Sequence, residues 1–233
     1  RRVGFPWSLN SVNRSLSSVG GTVAATHAVC EGRTQFAAHI AGGTHHAFAD
    51  HGEGFSTFSD IAVAALVALR DYPRTMHRVL IVDLDVHQGN GNAVLFQEDE
   101  RVFTFSMHCE ANYFSKKQVS NLDVELPKGC NDKEYMRHLR WHLPRLLDQL
   151  QPSLVYYQAG VDIFVGDRLG KMDISREGLR ERNWYVYEEA LTRDIPLVTT
   201  MGGGYPRDLD ADSAPFREIV DAHVDVYKTA AEA

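Results

Sequence analysis

The sequence of 233 residues has few cysteines and no long apolar run. Its three cysteines, Cys30, Cys109 and Cys130, are widely spaced and form no CxxC pair, so a disulfide framework and a zinc finger are both excluded. This cysteine usage favours a reducing, intracellular compartment, the nucleus or the cytoplasm. The longest apolar run extends from Ile61 to Leu69, well below the ~18 residues that a membrane span requires. We therefore expect no membrane span.

Basic residues are also scarce. Lysine and arginine total 24 against 31 aspartates and glutamates, which gives a net charge of −7. This balance is the opposite of a nucleic-acid-binding surface, so no direct nucleic-acid partner is expected. The sequence has no flexible linker, low-complexity tract or internal repeat, and we expect residues 1–233 to form a single domain. Its oligomeric state does not follow from the sequence.

Short apolar runs alternate with longer helical patterns. The runs predict strands over 35–40, 78–83, 102–107, 153–158 and 197–201, and the patterns between them predict helices over 12–30, 60–70, 131–150, 175–192 and 215–228. The strands are apolar on both faces, as buried parallel strands are. We therefore predict an α/β fold of three layers, with a parallel sheet between two layers of helices. Ligands of such sheets bind at the carboxyl ends of the strands.

Two strand ends carry side chains that suit a metal ion. DLDVHQGNG places Asp83, Asp85 and His87 at alternate positions, on one face if the strand geometry continues. YYQAGVD brings Asp162 to the same edge of the sheet. Buried carboxylates need compensation, and a divalent cation is the simplest one. Asp, His and Asp leave an open coordination position, which is typical of catalytic zinc. The alternative is a helix cap followed by polar loop residues.

Two further loops carry groups that suit hydrolysis. AGGTHHA places His45 and His46 after the first strand, and MGGGY presents Tyr205 after the fifth. Each loop alone is also typical of an ordinary surface turn. A tyrosine hydroxyl beside a metal can, however, stabilise an oxyanion formed from a carbonyl. Together these groups indicate metal-assisted hydrolysis of an amide.

These segments resemble the zinc-dependent histone deacetylases and acetylpolyamine amidohydrolases of the arginase-deacetylase fold. The resemblance rests on GGTHHAF, EGFSTFSDIAVAA, VDLDVHQGNGN, FTFSMH, YQAGVD, GDRLGKMDIS and MGGGY, which follow in this order over nearly the whole chain. DLDVHQGNG is most similar to the class IV branch and its bacterial relatives. The resemblance also implies an additional amino-terminal region, and we expect the 233-residue sequence to lack most of it.

The resemblance implies a role for each matching residue. It implies that Asp85, His87 and Asp162 bind zinc, that His46 is the general base and then acid, that His45 acts electrostatically and that Tyr205 stabilises the oxyanion. It implies a potassium site at Asp83, Asp85, His87, Ser106 and Met107, and tunnel walls at Gly54, Phe55, Phe114 and Gly203. Phe114 could instead pack under a surface loop. Asn90 stands where many relatives have an aspartate, so we expect a lower pKa for His46 than an aspartate would give.

The function implied is zinc-dependent hydrolysis of acyl-lysine in a protein or peptide, most simply histone deacetylation and hence chromatin regulation. Alternatives with the same chemistry are long-chain fatty-acyl-lysines or acetylpolyamines as substrates. Two other functions are less consistent with the sequence. An arginase-like ureohydrolase would require two metal ions and more aspartate ligands. A catalytically silent binding module would not need the complete set of proposed zinc ligands, both histidines and Tyr205. The acidic net charge is compatible with lysine-rich substrates, although salt screens such steering.

Overall fold

The computed structural model describes residues 2–112 and 115–233. Within them it has six helices and six strands. The helices are α1 (Leu9–Cys30), α2 (Asp60–Asp71), α3 (Asn90–Leu95), α4 (Asp132–Leu150), α5 (Arg176–Leu191) and α6 (Ala214–Glu232). The strands are β1 (Phe36–His39), β2 (Val79–Asp83), β3 (Val102–Cys109), β4 (Leu122–Leu126), β5 (Leu154–Gln158) and β6 (Leu197–Thr200). No described helix is long and apolar enough to cross a bilayer.

The strands form one sheet in the order β1-β6-β5-β2-β3-β4, and every pair of neighbours is parallel. All carboxyl ends therefore lie along the same edge. β2 and β5 are adjacent in the middle, and their last residues, Asp83 and Gln158, are register partners. The loops that follow these two strands are consequently held side by side.

Both faces of the sheet are covered by helices. In β2, Val79 and Ile81 pack with α1 and α2, whereas Leu80 and Val82 pack with α4, α5 and α6. Because successive side chains point to opposite faces, one fully buried strand contributes to both cores. This confirms the predicted three-layer α/β fold.

Helix starts follow the capping residues in the sequence. The side chains of Ser59, Asn131 and Ser175 accept hydrogen bonds from backbone N–H groups three residues later. Helices α2, α4 and α5 therefore begin one residue after each cap. The predicted bounds of α4 and α5 are one residue too wide at the start because they included the cap itself.

Two elements are missing from the prediction. β4 alternates between apolar and polar residues at the edge of the sheet, and a search for strands that are apolar on both faces overlooks it. α3 has six residues, including Gly91, too short and glycine-rich for a periodic pattern. Backbone N–H groups of Gly91 and Asn92 donate to the carbonyl of His45, which links α3 to the histidine loop.

Candidate active site

Three predicted metal ligands meet beyond the ends of β2 and β5. Asp85 and His87 follow β2, and Asp162 follows β5. Each offers a ligand atom, and these atoms all lie within 4.8 Å of one another. His87 Nδ1 is 3.1 Å from Asp85 Oδ1 and 3.2 Å from Asp162 Oδ2. One imidazole nitrogen and two carboxylate oxygens, converging in a buried place, fit a zinc ion.

The electrostatics of the three ligands also favour a cation. Burial and the negative charge of Asp85 raise the pKa of Asp162 to about 7. Asp85 is equally buried, but His45 and His87 lower the pKa of its carboxyl well below the usual range. Two carboxylates this close cannot both ionise without positive charge nearby. A bound divalent cation would supply that charge.

Gly203 lies against the two ligand carboxylates. Its N–H donates to Asp85 Oδ2 over 2.9 Å. A Cβ atom at this position would collide with Asp162 Oδ2, so only glycine allows this approach. Gly203, predicted as a tunnel residue, thus lines the floor of the site beside the metal ligands.

The two adjacent histidines have different partners. His45 Nδ1–H donates to Asp83 Oδ2 over 2.6 Å, and His46 Nδ1–H donates to Asn90 Oδ1 over 2.7 Å. Their ring centroids are 4.0 Å apart, and the ring of His46 is 6.1 Å from that of His87. The loop after β1 therefore brings both imidazoles to the metal ligands, with a carboxylate behind one and a neutral amide behind the other.

This difference in partners separates the pKa values of the two imidazoles. Burial disfavours the charged form of His45, but Asp83 and Asp85 outweigh it and raise its pKa to about 9. Burial and the positive charge of His45 lower the pKa of His46 well below its usual value, and the hydrogen bond to Asn90 offsets this only in part. The pair thus combines a cationic imidazole with a neutral one.

Tyr205 lines a cavity together with His45, His46 and Asp85. This inner cavity has a volume of about 340 Å³. The Tyr205 N–H donates to the buried carboxylate of Asp167 over 2.5 Å, which fixes the chain at the end of the glycine run. Burial and the charges of Asp162 and Asp85 raise the pKa of the Tyr205 hydroxyl. The hydroxyl therefore keeps its proton and remains a hydrogen-bond donor.

Gly54 and Phe55 line both the inner cavity and a second, outer cavity of about 480 Å³. The outer cavity also reaches His87 and Leu169. Phe55 has a left-handed backbone with φ of 62° and leaves 51% of its surface exposed. Gly54 and Phe55 thus border both cavities, and their role as tunnel walls stays a prediction. Phe114, the other predicted wall residue, lies outside the described residues.

The residues predicted to hold potassium lie on neighbouring strands. Asp83 at the end of β2 is the register partner of Ser106 in β3, and both are buried, as is Met107. The Ser106 hydroxyl is 3.0 Å from His108 Nδ1. The carboxylate of Asp83 also accepts a hydrogen bond from His45, so this side chain links the predicted potassium site to the histidine pair.

Asp60 was not predicted to have a role in the site. Its fully buried carboxylate accepts hydrogen bonds from the N–H groups of Gly43 and Thr44 and from the hydroxyls of Thr22 and Thr44. These bonds fix the backbone immediately before His45. An acidic residue at the start of the apolar segment DIAVAALVAL was the available signal.

Three more supporting residues were also missed. Gln158 donates to Asp85 Oδ2 over 2.9 Å, and the amide of Asn112 is 3.2 Å from His87 Nε2. Arg182, completely buried in α5, donates to the carbonyl of Gly160 over 2.6 Å. Gln158 ends a predicted buried strand, where a polar residue is unusual. Arg182 stands in a helix with many charged residues, and no sequence pattern distinguishes it.

The sequence matches the histone deacetylase domain over residues 4–216. An uncharacterized protein of Picosynechococcus is 46% identical over 209 residues, which cover 90% of this chain and 68% of that protein. Histone deacetylase 2 of Arabidopsis thaliana is 37% identical over 193 residues, and histone deacetylase 1 of Homo sapiens is 30% identical over 199.

These two named relatives are longer than the chain. The matches cover 80% of the chain and 48% of the Arabidopsis protein, and 81% of the chain and 40% of the human protein. The chain thus spans about half or less of their length. The similarity extends over the whole set of loops that carry the site, while the class IV branch stays a prediction.

Proposed function

The chain belongs to the histone deacetylase family, and on this premise we propose that it hydrolyses the amide bond of acylated lysine side chains with the help of zinc. One observation carries the proposal: Asp85, a member of the cluster that it forms with His87 and Asp162, lines the inner cavity together with the two histidines and Tyr205. The products are a free lysine amine and a carboxylate.

Asp85, His87 and Asp162 would hold the zinc ion. When bound, zinc polarises the substrate carbonyl and makes water a better nucleophile. The polypeptide contributes the fixed geometry of these ligands. Asn112 and Gln158 hold the His87 ring and the Asp85 carboxylate in place, and such supporting contacts strongly affect metal affinity.

His46 is proposed as the general base and then the general acid. Its bond to Asn90 keeps the proton on Nδ1 and puts the basic lone pair on Nε2. From there His46 accepts a proton from the attacking water as the new carbon–oxygen bond forms. It then donates this proton to the lysine nitrogen as the carbon–nitrogen bond breaks.

His45 and Tyr205 are proposed to stabilise charge. His45, paired with Asp83, supplies a positive charge beside His46 without taking part in proton transfer. The Tyr205 hydroxyl donates a hydrogen bond to the carbonyl oxygen as it becomes an oxyanion. We also propose that potassium binds at Asp83, Asp85, His87, Ser106 and Met107, where the end of β2 lies beside β3 and brings buried oxygens together.

The proposal also concerns which acyl group is removed and from which protein. Relatives named histone deacetylases make acetylated histone lysines the first substrates to test. The test is a panel of lysine peptides that carry acetyl to long fatty-acyl groups, incubated with protein of measured zinc content. Turnover that a chelator abolishes and that added zinc restores supports the proposal, and the chain-length preference identifies the acyl group.

Tyr205→Phe removes only the hydroxyl and provides the matched variant. We expect kcat to fall by about 10²- to 10³-fold, the cost of losing one oxyanion donor, with zinc content unchanged. Tyr227→Phe, on α6, is the control with the same atomic change. Zinc-loaded protein that hydrolyses none of the peptides, or a Tyr205→Phe variant as fast as the parent protein, would contradict the proposal.

A further inference from the structure

The entrance to the site carries positive charge on a chain that is acidic overall. Apart from the titratable His87, two charged side chains, Arg2 and Lys171, are among the described residues that line the outer cavity. Both are exposed, and no aspartate or glutamate is among these lining residues. The local charge at the entrance is therefore opposite to the net charge of −7.

Contacts with the cavity walls hold the positive residues at the entrance. Lys171 Nζ donates to the carbonyl of Ala111 over 3.0 Å, next to Asn112, whose side chain contacts His87. The carbonyl of Arg2 accepts a hydrogen bond from the N–H of Gly54, a tunnel wall residue. Arg2 and Lys171 are therefore attached to different segments of the lining of the same opening.

Further basic residues stand next to this opening. Arg168 precedes Leu169 in the wall, and its N–H donates to the carbonyl of Tyr205. Arg207 Nη2 donates to the carbonyl of Val165 over 2.8 Å. Both residues are exposed, so their charge faces solvent.

The acidic residues close in sequence do not cancel this charge at the opening. Asp167 is buried, and its carboxylate accepts hydrogen bonds from the N–H groups of Leu169, Gly170 and Tyr205. The exposed residues Glu110, Asp208 and Asp50 line neither the outer nor the inner cavity, although the carboxylate of Asp50 is close enough to Arg2 to interact with it electrostatically. The described residues that line the outer cavity thus place two positive side chains and no carboxylate near the residues that flank an inserted lysine.

We infer that the entrance selects acyl-lysines flanked by acidic residues and disfavours acetylpolyamines and lysine- and arginine-rich segments, histone tails included, against the expectation drawn from the acidic net charge. This inference rests on the proposed hydrolysis of acyl-lysine and specifies its substrate class. Opposite charges attract at the mouth of a cleft, where low-dielectric walls concentrate the field. The acyl-lysine itself is neutral, so flanking charges are the ones that the entrance can distinguish.

The test compares three peptides with the same central acetyl-lysine and with acidic, neutral or basic flanks. At low salt we expect kcat/KM to be about three- to tenfold higher for acidic than for neutral flanks, and lower again for basic flanks, as one or two exposed ion pairs would give. N-acetylspermidine is expected to be the poorest substrate. Because salt screens exposed charges, the differences should shrink at high ionic strength.

Variants of the entrance locate the effect. Lys171→Gln keeps a donor for the carbonyl of Ala111 and removes the charge, and Arg2→Glu reverses the charge on the other segment of the lining. Each is expected to reduce the acidic preference by about two- to fivefold, and the double variant to abolish it. Lys228→Glu, an exposed residue of α6, is the control and should keep the full preference.

The possible outcomes separate this inference from the proposed function. Equal kcat/KM for the three peptides at low salt, or a preference unchanged in the double variant, overturns the charge selection while the proposed hydrolysis stands. Hydrolysis of N-acetylspermidine as fast as the acidic peptide overturns it as well. If zinc-loaded protein hydrolyses no acyl-lysine peptide of any charge, the proposed function fails and this inference fails with it.

Discussion

The two halves of the candidate site are held in place by different means. The metal half, formed by Asp85, His87 and Asp162, extends directly from two central strands of the sheet. The histidine half, formed by His45 and His46, lies in a loop after the edge strand β1. Damage to the loop should therefore slow catalysis while metal binding persists, whereas damage to the metal half should abolish both.

Backbone contacts dominate the metal half. The Leu84 N–H donates to the carbonyl of Gln158, which continues the ladder between β2 and β5 past their last residues. Arg182 donates to the carbonyl of Gly160 and, more weakly, to that of Leu84 over 3.4 Å. One buried guanidinium thus joins the two chain segments that carry Asp85 and Asp162, in addition to the sheet itself.

Side chains dominate the histidine half. Asp60 at the start of α2 accepts hydrogen bonds from Gly43 and Thr44, which precede the histidines. Asp83 and Asn90 then orient the two rings from behind. Backbone N–H groups of Met201 and Gly202 donate to the carbonyls of Ala41 and Gly42, and those of Gly91 and Asn92 to the carbonyl of His45. The imidazole rings themselves are oriented by side chains, so a single substitution removes a large share of what positions each ring.

Asp162→Asn should have the largest effect, because it acts on the metal half directly. It removes a charged ligand and leaves the neighbouring carboxylate and imidazole with one partner fewer. We expect the zinc affinity to fall by more than about 100-fold, the loss that even a supporting residue causes, and turnover to disappear with the metal. Zinc content after dialysis and peptide hydrolysis measure the two effects.

Asp173→Asn, the same change at an exposed position, is the control and should keep one zinc per chain and the parental rate. An Asp162→Asn protein that retains tightly bound zinc would show that Asp162 is not a ligand. Loss of turnover with full zinc content would instead move this residue from metal binding to catalysis, against the division into a metal half and a histidine half.

Asp60→Ala should have an intermediate effect confined to the histidine half. The backbone N–H groups of Gly43 and Thr44 lose their acceptor, and the loop that carries His45 and His46 shifts. A misplacement of about 1 Å costs up to about 100-fold in rate, so we expect kcat to fall by about 10- to 100-fold with zinc affinity unchanged. Asp60→Asn, which keeps an acceptor oxygen, should recover part of the loss.

Asp71→Ala lies at the exposed other end of the same helix and serves as the control. Fluorescence or calorimetric unfolding of each variant separates a general loss of stability from the local effect. If Asp60→Ala loses zinc as readily as activity, the metal half and the histidine half do not act independently.

The same division explains how much of the site could be predicted from the sequence. Strand ends are visible in the apolar pattern, so Asp85, His87 and Asp162 could be assigned to one edge of the sheet from the sequence alone. The contacts of Asp60 could not be predicted in this way. They join residues that are far apart in the chain, and only the packing of α2 against the loop brings them together.

The secondary-structure elements and the buried arginine that the sequence pattern did not predict were missed for the same reason. β4 is half-exposed at the sheet edge and α3 is a single short helix, so tertiary contacts rather than periodicity determine both. In the sequence, Arg182 is indistinguishable from the other charged residues of α5. It is buried in the structure because backbone carbonyls of loops outside α5 accept its hydrogen bonds. Functional side chains that directly follow a strand could be predicted from the sequence. Supporting hydrogen bonds between residues of different helices, strands and loops could not.

Asn90→Asp should have the smallest effect and tests the histidine half alone. A carboxylate behind His46 favours its imidazolium form and so raises the pKa that burial and His45 lower. A general base must be unprotonated, so activity is lost as the pH falls below this pKa. We therefore expect the acidic limb of the kcat/KM profile to move up by about one pH unit, with the plateau within a fewfold of the parent.

Asn131→Asp adds the same charge at the exposed cap of α4, where either residue is a good cap, and it should leave the profile unchanged. Zinc content should be the same in the parent protein, in Asn90→Asp and in Asn131→Asp. An acidic limb that stays in place in Asn90→Asp would mean that another group sets it, and His46 would lose its assignment as the base. A downward shift would mean that the new carboxylate acts on a different group than the imidazole it faces.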